Sequence, residues 1–185
     1  MYLIVGLGNP EPEYSKTRHN VGFDVINKLS NKFNIEVKKE KFKGYYGSGI
    51  IENEKVILLK PQTYMNLSGE SIVKFANFYK ISPENIIVIF DDIDIKTGTT
   101  KIRKKGGPGT HNGMKSVVKE LNSTEFPRIR IGTGSSEKIQ DLINYVIVKV
   151  NEEEYKKLEV GIDKAEEAVV QILKIGIDRA MSKLN

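Results

Sequence analysis

A run of five apolar residues, Ile86 to Phe90, restricts the fold of this chain more than any other feature. It follows a Ser-Pro turn signal and ends at Asp91 and Asp92, so it is too short for a membrane span and is typical of a strand. A strand with no polar residue on either face belongs in the middle of a sheet that is covered on both sides. We therefore expect helices on both faces of a sheet.

The other patterns alternate between strand and helix and contain no internal repeat or low-complexity linker. A short apolar strand is predicted at 2–5, and another strand at 128–132. The further predictions are a helix from His19 or Asn20, a hairpin turning at 52–54, a helix capped by Ser68, a helix around 114–121 and a helical tail from Asn151. This order predicts one domain over residues 1–185, an α/β/α sandwich around a twisted, mixed, largely parallel sheet.

Composition excludes several classes of protein. The 185 residues include no cysteine, which removes disulfides, thiolate nucleophiles and cysteine-based zinc sites. No apolar run reaches the ~20 residues of a membrane helix, and the N-terminus has no signal-peptide pattern, so we expect a cytoplasmic protein without a membrane partner. Lys and Arg (29) exceed Asp and Glu (24), a net charge of +5 that weakly favours an anionic partner.

In a parallel sheet, ligands bind near the carboxyl ends of the strands, so the polar residues found there are the candidates for function. The loop "KIRKKGGPGTHNG" combines basic residues, glycines and a helix start, and it predicts an anion site. The stretch "GLGNP" lacks the next glycine of a dinucleotide fingerprint, which leaves Asn9 at a sharp turn after a strand.

Two other motifs stay ambiguous when they are considered alone. In "TYMNLSG", Asn66 is either a ligand-binding amide or a helix cap, and Met65 is either a contact or a core residue. In "FDD", the aspartates are metal ligands, partners of a histidine or loop caps. With only two histidines and no cysteine a metal site is disfavoured, although nothing excludes Mg²⁺ bound through oxygen. No G-x-S-x-G elbow is present, so a hydrolase of this kind would use water activated by a general base.

Together, "VGLGNP", "TRHNVGF", "KPQTYMNLSG", "DDIDIKTG", "GGPGTHNGMKS" and "RIRIG" stand in an order that resembles the bacterial-type peptidyl-tRNA hydrolases from Leu3 to about Val148. The resemblance implies cleavage of the ester between a peptide and the 3′ ribose of tRNA. It implies that His19 is the general base, that Asp91 orients His19, and that Asn9 positions the peptidyl group. It implies no cofactor and no metal, and we expect a monomer.

The resemblance also implies a set of residues that bind peptide or tRNA: Tyr14, Tyr64, Met65, Asn66, Asn112, Gly109, Arg103, Lys104 and Arg130. The two arginines and Lys104 would hold tRNA phosphate. The sequence departs from the family pattern at Phe90, where many relatives have His, and at Pro108 and Thr110 in the loop before His111. These changes leave open how that loop moves, and the role of His111 also stays open.

Two other classes of protein are consistent with parts of the sequence. A non-catalytic RNA-binding protein of the same fold would not need His19, Asp91 and Asn9 together. A nucleoside or nucleotide enzyme on a similar sandwich would need a compact pocket and no extended basic surface.

Overall fold

The computed structural model describes residues 1–185 and contains one seven-stranded sheet with six α-helices. The strands are β1 (Tyr2–Gly6), β2 (Lys39–Lys41), β3 (Gly44–Ile51), β4 (Glu54–Pro61), β5 (Ile86–Lys96), β6 (Thr100–Arg103) and β7 (Arg128–Gly134). The helices are α1 (Val21–Phe33), α2 (Ser68–Tyr79), α3 (Asn112–Leu121), α4 (Leu142–Ile147), α5 (Glu152–Ile175) and α6 (Ile177–Leu184). None of the helices has both the length and the apolar composition that crossing a membrane requires.

The strand order is β2-β3-β4-β1-β5-β7-β6. The four central strands β4, β1, β5 and β7 run parallel to one another, whereas β3 pairs antiparallel with β4 and with β2, and β6 pairs antiparallel with β7. The predicted mixed, largely parallel sheet is therefore confirmed, with β5 near its centre.

The core has two parts, one on each face of the sheet. The first contains 22 buried residues, largely from the sheet and from α1, α5 and α6, and the second contains 16, largely from the sheet, α2 and α3. Residues of β5 alternate between the two parts of the core. Ile87 and Ile89 pack in the part that contains α1 and α5, while Ile86, Val88 and Phe90 pack in the part that contains α2 and α3. This burial on both faces explains the uninterrupted apolar sequence of β5.

Several local predictions need correction. The hairpin turn is confirmed, with φ of 50° at Glu52 and 65° at Asn53, but Ser68 does not cap α2. Residues Met65–Leu67 form a 3₁₀ turn, Ser68 is already helical, and its hydroxyl donates to the Met65 carbonyl at 2.7 Å. The Ser116 hydroxyl oxygen in α3 instead accepts from the Gly69 N–H at 2.9 Å.

The central strand is also longer than its apolar run, because β7 continues to pair with it through Asp91 and Asp92 and again at Lys96. The basic segment that the sequence presented as a loop begins as strand β6, antiparallel to β7. The predicted helical tail is confirmed from Glu152 but breaks at Gly176, where φ is +88°, into α5 and α6.

A close approach between β1 and α1 fixes the start of that helix. A Cβ atom on Gly6 would lie 2.0 Å from the Gly22 carbonyl oxygen, and a Cβ on Gly22 would lie 2.5 Å from the Ile89 carbonyl oxygen. Only glycine fits at either position. The 3₁₀ turn Arg18–Asn20, which precedes α1, is thereby held against the sheet beside Asp91 of β5.

Candidate active site

The centre of the candidate site is the Asp91 carboxylate, which bonds to both histidines of the chain. His19 Nδ1 lies 2.8 Å from Asp91 Oδ2, and His111 Nε2 lies 2.8 Å from Asp91 Oδ1. The Asp91 side chain is 2% exposed, whereas that of His19 is 15% exposed. One buried carboxylate therefore accepts hydrogen bonds from two imidazole rings that stand 5.0 Å apart. The partnership predicted for His19 and Asp91 is present in the structure.

The hydrogen bonds also define which ring nitrogens carry protons. A carboxylate oxygen can only accept, so His19 Nδ1 and His111 Nε2 are both donors. His111 Nδ1 accepts from the Met114 backbone N–H at 3.1 Å, which makes this residue the N-cap of α3. His19 retains an unprotonated Nε2 with no partner in the protein, which is the atom that a general base requires.

The electrostatics of the pair favour an ionised carboxylate beside a basic imidazole. Burial alone would raise the pKa of Asp91, but attraction to His19 and His111 and the hydrogen bonds that they donate outweigh it, and this pKa lies well below its usual range. Burial would lower the pKa of His19, but the charge of Asp91 and its hydrogen bond outweigh that, and the pKa of His19 is raised. The site therefore stabilises a proton on His19 once it has been taken up.

Phe90, one of the departures from the family pattern, packs against this centre. Its ring lies edge-on to His111 with the centroids 5.0 Å apart, and its side chain is buried in the core between the sheet and α3. His111 is thus held by an apolar contact, by Asp91 and by the end of α3. The role that the sequence left open for His111 is at least structural.

Asn9 lies beside this centre on the loop after β1, and it is 7% exposed. Asn20 holds its backbone in both directions: Asn20 Oδ1 accepts from the Asn9 N–H, and Asn20 Nδ2 donates to the Asn9 carbonyl, each at 2.9 Å. Asn9 Oδ1 accepts from the Met65 N–H at 2.8 Å. The oxygen thus already accepts one hydrogen bond, whereas Asn9 Nδ2 donates to no protein group and is free to donate to a ligand.

The mouth of the site is far more exposed. Tyr64 is 53% exposed, Asn66, Gly109 and Asn112 are exposed, and Tyr14 is partly exposed. The Tyr64 hydroxyl donates to the Glu11 carboxylate, which fixes one edge of the mouth. Met65 is different from its neighbours, because its side chain is 4% exposed and lies in the core near Gly113. Of the predicted binding residues, it is the one whose side chain is buried.

A cavity of about 230 Å³ adjoins the histidines. Its lining includes the predicted residues His19, Asp91, Arg103, Gly109, Asn112 and Arg130. Asn9, Tyr14, Tyr64 and Asn66 are not part of this lining, so the predicted residues fall into two groups, one inside the cavity and one outside it. Lys104 also lies outside it, and its ammonium group pairs with Asp178 at 3.2 Å.

Sequence reasoning missed two parts of the cavity wall. The first is α4, which contributes Leu142, Ile143 and Val146, with Ile143 77% exposed. Arg18 holds this helix: its guanidinium stacks on the Tyr145 ring at 3.8 Å and donates to the Tyr145 carbonyl at 3.1 Å. The second is Arg128, the buried first residue of β7. The alternation in "RIRIG" places both arginines on one face of the strand, which is the signal that could have identified it.

The three central side chains also meet the geometric requirement for a metal site, since one ligand atom from each lies within 4.8 Å of the others. Their present bonding argues for another use. The nitrogens that face Asp91 are both hydrogen-bonded directly to it, and the second nitrogen of His111 caps α3. A metal ion would have to replace these bonds, whereas a water-activating base keeps all of them.

Comparison with known proteins agrees with this geometry. The family model described as peptidyl-tRNA hydrolase matches residues 3–185. A peptidyl-tRNA hydrolase of Clostridium acetobutylicum is 53% identical over all of this chain and 98% of its own length, and one of Clostridium botulinum is 51% identical over all of this chain and 97% of its own. The crystal structure of the Acinetobacter baumannii peptidyl-tRNA hydrolase superposes with a TM-score of 0.92 at 40% identity, covering 100% of this chain and 94% of that one. The resemblance carried by the motifs is confirmed, and the chain belongs to the peptidyl-tRNA hydrolase family.

Proposed function

We propose that the protein hydrolyses the ester bond between a peptide and the 3′ end of tRNA, releasing free tRNA and peptide. The observation that carries this proposal is the hydrogen bond of His19 Nδ1 to buried Asp91, which leaves Nε2 free in a cavity lined by arginines. The family of the chain supports it. A non-catalytic RNA-binding protein would have no use for a base prepared in this way.

The chemistry begins with a water molecule near His19 Nε2. As the water oxygen attacks the ester carbonyl, its proton passes to Nε2, and the imidazolium that forms is stabilised by the ionised Asp91. Collapse of the tetrahedral intermediate breaks the bond to the 3′ oxygen of the ribose. The proton on Nε2 then passes to that oxygen, which leaves as the free hydroxyl of tRNA and restores the neutral histidine.

The amide groups around His19 hold the peptide. Asn9 offers its free Nδ2 donors, while its oxygen is oriented by the Met65 N–H. A donor matches the carbonyl oxygen of an N-blocked residue, but it has no attraction for the ammonium group of a free aminoacyl ester, which is itself a donor. Asn66 and Asn112 are exposed at the mouth and provide both donors and acceptors for the peptide backbone and for water. This arrangement selects peptidyl-tRNA over aminoacyl-tRNA.

The remaining predicted residues bind the tRNA. Tyr14 and Tyr64 provide aromatic surfaces for the terminal adenosine or the peptide, where stacking is worth about 1–3 kcal/mol per base. Arg103 and Arg130 attract phosphate, helped from outside the cavity by Lys104, which follows Arg103 in the chain, and Gly109 allows the backbone to approach the substrate. Arg130 is only loosely paired with Asp92 at 3.5 Å, so it is available to an anion. We expect the enzyme to work without metal or cofactor, as a monomer in the cytoplasm, where peptidyl-tRNA arises.

The experiment that tests this function compares two substrates. N-acetylaminoacyl-tRNA and the free aminoacyl-tRNA made from the same tRNA are incubated with the protein, and release of free tRNA is followed on acid gels. We expect hydrolysis of the N-blocked substrate alone. Equal hydrolysis of both would contradict the role of Asn9 in selectivity, and hydrolysis of neither would overturn the proposed activity.

A further inference from the structure

Arg128 is a buried cation without a carboxylate partner. It is 1% exposed, and by volume it is the largest fully buried side chain of the molecule. Its guanidinium donates only to backbone carbonyls, those of Gly107 at 3.1 Å, Thr124 at 3.0 Å and Phe126 at 3.2 Å, and its Nε has no partner. A buried charge is normally paired, so the missing anion requires an explanation.

Two further arginines surround Arg128, and the one carboxylate that pairs with either of them is Asp92, 3.5 Å from Arg130. Arg103 of β6 stands directly opposite Arg128 of β7, and Arg130 follows two residues later on the same face. Burial, followed by repulsion from Arg103 and Arg130, lowers the pKa of Arg128 to about 10. Like charges opposite each other destabilise an antiparallel pair. A fold that keeps three arginines together at this cost has a use for an anion there.

The three arginines share the cavity next to the catalytic centre, whose lining contains all of them together with His19 and Asp91. Arg128 also organises the loop that leads to Asn112. It holds the Gly107 carbonyl, and the Thr124 carbonyl that it binds also accepts from the Gly106 N–H at 3.1 Å. The side chain of Arg103 passes close to Gly106, where an added Cβ would lie 3.3 Å from Arg103 Cδ. The buried and the exposed arginine are thus connected through one turn of backbone.

We propose that Arg128 is a positioning residue for tRNA, whose missing counter-ion is a phosphate group of the substrate bound at Arg103 and Arg130. It acts through these two residues and does not itself contact the phosphate. Its charge strengthens the positive potential of the cavity, and its guanidinium holds the glycine-rich backbone beside which Arg103 lies. The inference rests on the proposed function, since it takes the anion to be tRNA.

The test separates the charge of Arg128 from its contacts with backbone. Arg128→Met removes both, while Arg128→Lys keeps the charge but replaces the two nitrogens that reach the three carbonyls with one. Arg130→Gln serves as the reference for a residue that contacts phosphate, and Lys55→Gln removes an exposed cation at the start of β4, at the other end of the sheet. For each variant, kcat and KM for N-acetylaminoacyl-tRNA are measured over a range of KCl concentrations, and folding is checked by circular dichroism.

For Arg128→Met we expect KM to rise about tenfold, and the slope of log KM against log salt to fall by roughly 0.7–0.9, because the cavity that attracts the phosphate loses one positive charge. Arg130→Gln should show the same change of slope, and Arg128→Lys and Lys55→Gln should keep the parent slope. A parent-like slope in Arg128→Met, with a loss confined to kcat, would show that Arg128 only anchors the loop, and would overturn the inference. If Arg128→Met does not fold, Arg128→Gln, which retains a donor for the Gly107 carbonyl, carries the same expectations. Absence of hydrolysis by the parent protein would instead overturn the proposed function.

Discussion

The inner wall of the site and its mouth are built in opposite ways. At the inner wall, Asp91, His19 and His111 are buried or nearly so, and each ring nitrogen but one has a defined partner within the protein. At the mouth, Tyr64, Asn66 and Asn112 are exposed, and the amides of the two asparagines make no hydrogen bonds with the protein. The inner wall therefore has its hydrogen bonds formed before substrate binds, whereas the mouth keeps donors and acceptors that only a substrate can use.

This contrast separates two kinds of contribution to the reaction. A preorganised group stabilises the transition state without further rearrangement, so its loss should appear mainly in kcat. An exposed amide gains its hydrogen bonds only when substrate binds, so its loss should affect KM and kcat together and by a smaller factor. Five substitutions test the contrast and the electrostatics behind it, beginning with the largest expected effect.

The largest effect should follow from His19→Ala. It removes the atom that takes the proton from water, so kcat should fall by roughly 10²–10⁴ while the affinity for tRNA stays within about twofold of the parent. Single-turnover hydrolysis of N-acetylaminoacyl-tRNA and filter binding of deacylated tRNA measure the two quantities. Normal turnover in this variant would remove His19 from its assigned role.

The next effect should follow from Asp91→Asn. The amide can donate to His19 Nδ1, which would move the proton of His19 to Nε2 and block the base, so kcat should fall about 10²-fold. The pH profile should change as well. Activity requires neutral His19, so it is lost as the pH falls through the pKa of His19, which Asp91 raises above its ordinary value.

Without the charge of Asp91, burial dominates and the pKa of His19 should fall below its ordinary value. The acidic limb of kcat/KM in Asp91→Asn should therefore lie at lower pH than in the parent, although the maximum is lower. Profiles from pH 5 to 9 at constant ionic strength will show the shift. An acidic limb at the same pH in both proteins would mean that another group governs it.

The sequence predicted the inner wall better than the mouth, for a physical reason. The family resemblance named His19 and Asp91 as partners, and local pattern adds that His19 precedes a helix start and that Asp91 ends the apolar run within β5. The fold class follows from the same patterns. The contact of Asp91 with His111 depends instead on how α3 packs, and spacing along the chain does not encode it.

The features that the sequence did not predict also depend on contacts between distant parts of the chain. Ser68 fits a capping pattern, but the 3₁₀ turn before it shifts the helix start, and Ser116 from another helix takes over the bond to Gly69. The alternating pattern of β7 does not show that Arg128 is buried, because the loop at Gly107 and the segment at Thr124, which come from elsewhere in the fold, cover it. Local pattern does not specify which part of the chain covers a given face.

At the mouth, Asn112→Ala should have a smaller effect than either substitution at the inner wall. Asn112 is exposed at the start of α3, and one lost hydrogen bond is worth about 1–1.5 kcal/mol, so we expect kcat/KM to fall by roughly tenfold. Asn66→Ala should behave in the same way. Asn77→Ala, at an exposed position of α2, is the matched control and should leave kcat/KM unchanged. A 10³-fold loss in Asn112→Ala would place this amide with the preorganised groups and break the contrast.

The smallest effect on activity should follow from Asp24→Asn, which tests whether the histidines, and not burial itself, set the state of Asp91. Asp24, in α1, is half-buried and accepts from the Tyr155 hydroxyl at 2.9 Å, but it has no imidazole partner. Burial raises its pKa to about 6, only partly opposed by the Tyr155 hydrogen bond and by Lys60 and Lys16. The folded protein therefore binds this proton more tightly than the unfolded chain, so the contribution of Asp24 to stability is lost as the pH rises from about 4 through 6.

Asn cannot ionise, so Asp24→Asn does not lose this contribution as the pH rises. Relative to the parent, its free energy of unfolding should increase by about 1–3 kcal/mol between pH 4 and pH 7, with kcat unchanged. Urea unfolding at pH 4, 5.5 and 7 measures this difference. The control is Asp163→Asn, on the exposed face of α5. Its free energy of unfolding should differ from that of the parent by at most about 0.5–1 kcal/mol, the value of a surface ion pair. A difference that does not depend on pH would mean that Asp24 stays ionised in the folded protein. Burial would then not be enough to raise a carboxyl pKa in this fold, and the depressed pKa of Asp91 would need less from its two histidines than the structure indicates.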